Sequence, residues 1–391
     1  MRLKTGLEVL LAQPPAWLGR SRLGLLSNQA SVGPGYQSAI DLIAQRFPDQ
    51  LTALFGPQHG LAGEKQDNMV ASADFIELRW GLPVFSLYGE RLAPTPEMLD
   101  LIDVLLVDLP DVGTRVYTFA ATMAYAMAQA ARQHKKVVIL DRPNPIGGRQ
   151  VEGNYLKPEM ASIVGPYPLP MRHGLTLGEL ARYYNDTQGL GCDLTVIPAQ
   201  GWSRSQYFDH TGLPWVLPSP NLPTLDTALV YPGQVLLEGT NLSEGRGTTR
   251  PFELFGAPFI DPAAVSACLE RSPLSGVVLR AASFQPTFHK WAGEVCRGFQ
   301  LHVTDRQSFK PYFTTLSLIA AIRELYPEQF AWRPPPYEYE YERLPFDLLT
   351  GDGAIRAGLE QGRPVVELEQ DWQTGLEKYL EIRQHYLIYP D

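Results

Sequence analysis

Unbroken apolar runs recur through the first 141 positions of the chain: Leu23–Ser27 (LGLLS), Leu51–Phe55 (LTALF), Val84–Leu87 (VFSL), Val104–Asp108 (VLLVD) and Val137–Asp141 (VVILD). Helical spacing separates them, around Ala39–Arg46, Pro96–Leu101 and Ala120–Gln133. A strand that is apolar throughout is covered on both faces, and helical crossovers make its neighbours parallel. The pattern predicts an α/β fold with a doubly wound, mostly parallel sheet. In such sheets ligands bind beyond the carboxyl ends of the strands. Polar motifs stand at those ends: Asn28-Gln29, GPQHG (Gly56–Gly60), the turn from Asp108 through Asp111 to Arg115, and RPNPIGG (Arg142–Gly148). Strand ends along one sheet edge converge, so these segments are expected to build one pocket.

Beyond Arg149 the pattern changes. Leu175–Asn185 reads as a helix, with Thr176 as N-cap and Glu179 completing a capping box. Leu194–Pro198 reads as a strand, Trp202–Pro223 as irregular, and Thr227–Leu237 as a helix running into the polar segment Glu238–Glu253. Val277–Ala281 and Phe299–Val303 read as strands, Phe313–Leu325 and Val365–Tyr386 as helices. Trp332–Pro336 and the Tyr/Glu alternation of residues 337–342 read as a surface connector. The expected division is a catalytic domain over 1–258 and a smaller α+β domain over 259–391.

Composition excludes several classes. A net charge of -9 lacks the basic footprint of a nucleic-acid binder. Cys192, Cys268 and Cys296 are far apart and show no metal-ligand spacing, which fits a reducing compartment. No stretch approaches the ~20 apolar residues that span a bilayer. The apolar run Val9–Ala12 is too short for a secretory signal, so the expected location is the cytoplasm. GxGxxG, GxxxxGK[ST], GxSxG and HExxH are all missing, which argues against a dinucleotide site, an NTP site or a serine nucleophile.

Carboxylates, histidines, arginines, amides and aromatics remain, a set that suits carbohydrate chemistry. Each motif also has a purely structural reading. His59 in GPQHG is an acid–base candidate or simply a turn residue. Asp108 and Asp111 orient a ligand together with Arg115 and Tyr117, or cap a helix and pair with the arginine. Asp141 and Asn144 belong to a proline-stiffened turn that holds either a site or the fold. Arg172 and His173 precede the capped helix, where His173 serves as a hydrogen-bonding residue or a ligand contact. Asn221 sits on the stiff loop Pro218–Asn221, suited to sugar hydroxyls or N-acetyl groups. Glu238, Asn241, Glu244 and Arg246, interleaved with glycines, form a shaped binding loop or a solvated one.

The ordered series GPQHG, DxxDVGTRxYT, LDRPNPIGG, PMRHGxTxGELA, PSPN and YPGxxLxEGTNxSEGRGTTRPFExxGAP resembles the NamZ-type exo-β-N-acetylmuramidases. The likeness runs from about Gly6 to the C-terminus. It implies a Rossmann-like N-terminal domain, a smaller C-terminal domain and a cleft between them. The implied activity is release of non-reducing-end N-acetylmuramic acid from peptidoglycan fragments in cell-wall turnover or recycling, with no cofactor and no metal. The implied partner is a small muropeptide or N-acetylmuramic acid glycoside, with no nucleic acid and no membrane; a homodimer stays open. In the resembling family the third position of this motif carries a proton-donating glutamate, as GPEHG, where this chain has Gln58. An amide donates no such proton, and losing such an acid costs ~10²–10⁴ in rate. Three readings follow: another carboxylate acts as acid, the substrate differs, or the chain binds muropeptide without cleaving it. The first two are preferred because the other loops are intact. Glu64 is the expected replacement acid, with Glu244 and Glu238 as alternatives and Asp111 or Glu244 as its partner. His59 would handle protons or hold the sugar. Arg115, Asn144, His173, Asn221, Asn241 and Arg246 would bind hydroxyls, the N-acetyl group and the lactyl carboxylate, with Asn28, Asp108, Tyr117, Asp141, Arg172 and Glu238 completing the site.

Overall fold

The computed structural model describes residues 2–271 and 274–391. Twelve strands form among them: β1 (Leu23–Ser27), β2 (Leu51–Gly56), β3 (Phe75–Glu77), β4 (Leu82–Ser86), β5 (Val104–Asp108), β6 (Lys136–Leu140), β7 (Glu152–Tyr155), β8 (Pro170–Arg172), β9 (Asp193–Ile197), β10 (Leu254–Ala257), β11 (Val277–Phe284) and β12 (Cys296–Val303). Seven make one sheet in the order β3-β4-β2-β1-β5-β6-β9. Every pairing in it is parallel except β3 with β4. Chain order runs outward from β1 on one side through β2 and β4, then returns to its other side at β5. That reversal is the doubly wound topology expected from the apolar runs.

All positions of β1 and β5 are buried, because helices cover both faces. Alternate side chains of one strand enter different cores: Leu105 and Val107 join one cluster, Val104 and Leu106 the other. The first cluster continues into the C-terminal half through Phe255, Phe299, Leu316, Phe346 and Leu368, so the two sheets share apolar packing. Helices start where side chains satisfy their free N–H groups. Ser38 caps Ala39–Arg46, and Thr176 with Glu179 forms the expected capping box of Leu177–Thr187.

The second sheet is antiparallel, in the order β10-β12-β11. Its strand β10 begins at Leu254, four residues ahead of the expected division at 258. The edge strand β3 carries no signal in the sequence, being three residues long and largely exposed. The final helix, Val365–Arg383, packs against β7 of the small two-stranded sheet β7-β8. There the Tyr379 hydroxyl donates to the His173 carbonyl at 2.7 Å, and Arg383 donates to the Gly174 carbonyl at 2.8 Å.

The expectation of a surface connector at 337–342 is corrected for its first two residues, while Tyr341 and Glu342 are exposed. Tyr337 and Glu338 are only 3% and 5% exposed. They enter a tight turn in which Tyr337 and Glu340 exchange backbone hydrogen bonds of 2.8 and 2.9 Å. Glu338 and Tyr339 both take positive φ, 49° and 62°, the geometry of a type I′ turn. Tertiary burial of both side chains overrides their exposed-looking alternation.

Candidate active site

Strand β2 ends at Gly56, and the chain turns at Pro57-Gln58-His59-Gly60. His59 and Gly60 hold φ of 72° and 84°, which bends the loop back over the sheet edge. This turn forms one wall of a cleft of about 400 Å³. The segment Val116–Thr118 after β5, Ser219 and Asn221, Tyr231, Glu238 and Arg246, and Tyr337 with Glu338 complete it.

Gln58 lies at the centre of a polar network. Its amide nitrogen donates to the Tyr88 hydroxyl at 2.9 Å and to Glu338 Oε1 at 3.1 Å. Its oxygen accepts from the Thr118 hydroxyl at 2.5 Å. Tyr88 in turn donates to Glu338 Oε2 at 2.6 Å and accepts from the Met69 N–H at 2.8 Å. Burial, together with the nearby charge of Glu238, pushes the Glu338 carboxyl up to about 7, against the hydrogen bonds from Tyr88 and Gln58.

Glu238 has the opposite environment. Arg246 pairs with its Oε1 at 2.7 Å, while Tyr337 and Asn68 donate to Oε2 at 2.7 and 3.1 Å. Burial opposes its charge, but the arginine outweighs it and holds the carboxyl below its usual range. Arg246 stacks over Phe252 at 5.4 Å, and its Nη1 is buried with no hydrogen-bond partner among the described residues. His59 Nδ1 lies 2.7 Å from the Lys65 carbonyl, so Nδ1 carries the proton. Burial pulls this ring down to about 4, with Arg246 adding to the effect, so it is neutral at pH 7 and Nε2 keeps a lone pair.

Six of the expected residues therefore share this cleft: Gln58, His59, Tyr117, Asn221, Glu238 and Arg246. The others are placed elsewhere. Glu64 is exposed, 3.9 Å from Lys65, and does not line the cleft. Glu244 is sealed beneath it by Lys290 at 2.6 Å, His289 at 3.2 Å and Arg246 at 3.4 Å. Burial opposes its charge, yet these neighbours hold its carboxyl well below the usual range. Among the described residues Arg115 meets no carboxylate; it donates to the carbonyls of Leu169 and Asn154 at 3.0 and 3.3 Å and of Leu349 at 2.6 Å. Burial alone accounts for its guanidinium falling to about 10.

Asp108 forms a two-pronged ion pair with Arg142 at 2.6 and 2.8 Å, locking the ends of β5 and β6 together. Asp141 accepts from the Thr176 and Tyr389 hydroxyls and the Gly178 N–H, which anchors a helix and the C-terminus. Asn28 and Asn144 shape their own turns, donating to the carbonyls of Pro218 and Leu175. Arg172 donates to the Ile146 carbonyl at 2.6 Å. Asn241 holds the segment at Gln329 and Ala331. His173 is fully buried, 3.5 Å from Asp111. Asp111 faces a different cavity of about 600 Å³ at the ends of β1, β5 and β6, lined also by Pro34, Arg142, Pro143, Phe208 and Trp215.

The sequence reading passed over Asn68, Tyr88, Thr118, Tyr231, Tyr337 and Glu338. For Glu338 a signal existed. Three prolines at 334–336 stiffen the backbone directly ahead of Tyr337-Glu338, more than a solvated linker needs.

Comparison with known proteins bears on this arrangement. Residues 23–226 match the family described as "Exo-beta-N-acetylmuramidase NamZ, N-terminal", and residues 229–389 match its C-terminal counterpart. The chain is 45% identical to the peptidoglycan beta-N-acetylmuramidase NamZ of Bacillus subtilis (strain 168), over 99% of this chain and 92% of that protein. Two crystal structures of DUF1343 family proteins from Bacteroides fragilis NCTC 9343 superpose on it. One has a TM-score of 0.89 at 33% identity, covering 99% of both chains. The other has a TM-score of 0.78 at 29% identity, covering 100% of both. With both family models matched in order along nearly the whole chain, the protein belongs to the NamZ exo-beta-N-acetylmuramidase family.

Proposed function

We propose that this protein is an exo-acting β-N-acetylmuramidase, a glycoside hydrolase that releases N-acetylmuramic acid from the non-reducing end of peptidoglycan fragments. The observation that carries the reading is the cleft, where two buried carboxyl groups, an arginine with an unpartnered Nη1, an amide at Asn221 and the rings of Tyr117 and Tyr231 meet. Arg246 Nη1 would take the lactyl carboxylate by a charge-assisted hydrogen bond. Asn221 would read the N-acetyl group or a hydroxyl, and the aromatic rings would pack on the sugar face. Three free cysteines, two of them buried, support work in a reducing compartment, in line with cytoplasmic recycling of wall fragments. No helix among the described residues is long and apolar enough to cross a membrane.

The test uses the disaccharide N-acetylmuramyl-β-1,4-N-acetylglucosamine and its isomer with N-acetylglucosamine at the non-reducing end. The reading expects release of N-acetylmuramic acid from the first and no hydrolysis of the second. Saturable binding of the first without release would leave a binding protein instead.

A further inference from the structure

Gln58 occupies the centre of the cleft and has no acidic proton, so a hydrolase built on this site needs its acid elsewhere. Among the described residues, Glu238 and Glu338 are the carboxyl groups that line the cleft. Glu238 is engaged by Arg246, Asn68 and Tyr337, three donors that favour its ionised form. Glu338 has no cationic partner within salt-bridge distance among the described residues. It is held by neutral donors only, the Gln58 amide and the Tyr88 hydroxyl. Its backbone is also costly. Two consecutive non-glycine residues at positive φ, Glu338 and Tyr339, are the kind of strain that persists where a side chain must be held in place, at ~1–3 kcal/mol each.

We propose, resting on the hydrolase reading above, that Glu338 is the general acid of this enzyme and that Gln58 is its positioning residue. Two carboxyl groups whose surroundings push their protonation apart divide the work of glycoside cleavage. The Glu338 O–H bond breaks and its proton passes to the glycosidic oxygen. The bond from that oxygen to the anomeric carbon breaks, and its electron pair stays with the leaving alcohol. The positive charge developing on the sugar is stabilised by ionised Glu238. Water then adds its oxygen to the anomeric carbon, and the proton it loses restores Glu338. The Gln58 amide orients Glu338 Oε1 from 3.1 Å without adding a competing negative charge. The charged and titratable groups around Glu338 are Tyr88 after β4, Tyr231 from the helix Leu225–Gln234, Glu238 and Arg246 from the glycine-rich loop, and Tyr337 and Tyr339 on either side of it in the turn.

The test compares wild type with Glu338→Gln on two substrates, the N-acetylmuramyl disaccharide and 2,4-dinitrophenyl β-N-acetylmuramide. The disaccharide has a poor leaving group and needs the acid; dinitrophenolate leaves unaided. Glu338→Gln is expected to lower kcat on the disaccharide by ~10²–10⁴. KM should change little, and turnover of the activated aryl glycoside should stay near wild type. Wild-type kcat/KM on the disaccharide should fall as pH rises through about 7. Gln58→Glu places a second carboxyl beside Glu338, and the pair then holds a shared proton to higher pH, moving that limb upward. Disaccharide turnover undiminished in Glu338→Gln, or equal losses on both substrates, would overturn the assignment while leaving the hydrolase reading intact. Should Glu338→Gln not fold, an unmoved pH limb in Gln58→Glu would overturn it. A wild-type enzyme that binds both substrates and cleaves neither would remove the hydrolase reading itself.

Discussion

Arg115, just beyond β5 in the first half of the chain, donates a 2.6 Å hydrogen bond to the carbonyl of Leu349, in the helix Pro345–Thr350. The two halves of the molecule are thus joined by a guanidinium bound to backbone carbonyls, with no acidic side chain among the described residues compensating its charge. Replacing it by Met leaves the three carbonyls of Asn154, Leu169 and Leu349 without this donor. Arg115→Met is expected to lower stability by ~2–4 kcal/mol, read as a lower urea midpoint. KM for the disaccharide should be unchanged in the folded fraction. A large rise in KM at full stability would instead make Arg115 a substrate contact.

Arg246 is the opposite case, with one nitrogen bound to Glu238 and another buried without a partner. Lysine keeps the charge and loses the fork. Arg246→Lys is expected to reduce kcat/KM on muramyl substrates about 10- to 100-fold, mainly through KM, matching the ~1.5–3 kcal/mol of one charge-assisted hydrogen bond. Removing the lactyl carboxylate from the substrate should cost wild type a similar factor and the variant much less. Equal sensitivity in both proteins would place the carboxylate elsewhere.

Glu64 is exposed and stands outside the cleft. Glu64→Gln should keep kcat within about twofold of wild type, the usual scale for a surface change. A loss of a hundredfold would require the GPQHG loop to close further during turnover and carry this carboxylate inward.

His59 links the site to stability. Its ring is held near 4 in the folded protein, below the ~6.5 of an unfolded chain. Between those values the unfolded chain binds the extra proton, so stability falls as pH drops from about 7 towards 4, by ~1–3 kcal/mol. His59→Asn suits the positive φ of this position and removes the titration. The urea midpoint of the variant should therefore change less than that of wild type between pH 7 and pH 5. Parallel midpoints would locate the acid sensitivity in other groups.

How far the sequence carried can be judged from particular elements. Strands β1 and β5 and the helix Ala39–Arg46 coincide with the ranges read from the letters alone. So does the capping box at Thr176 and Glu179. These are local matters: an apolar run buried on both faces, or a hydroxyl three residues from the N–H it accepts from, leaves its mark within a few positions. Gln58, His59, Tyr117, Asn221, Glu238 and Arg246 were legible as polar groups on shaped loops, and they do meet in one cleft. Asp108, Arg115, Asp141, Asn144 and Arg172 carried the same kind of signal, yet their hydrogen bonds are spent on an ion pair between strand ends, on turns, caps and carbonyls. A buried polar group must be paired whether it serves chemistry or the fold, so residue type and spacing do not separate the two.

The order of apolar runs and the train of loop motifs were enough, without coordinates, to determine the sheet, its winding and the family. Only the tertiary structure decided which acid faces Gln58. Glu338 lies 280 positions away in a segment that reads as a solvated Tyr/Glu strip. Its protonation is set by burial, by the Tyr88 hydroxyl and by the charge of Glu238 across the cleft, none of which is its neighbour in sequence. Periodicity follows from short-range geometry along the backbone, whereas the electrostatics of a carboxyl group depend on everything folded against it.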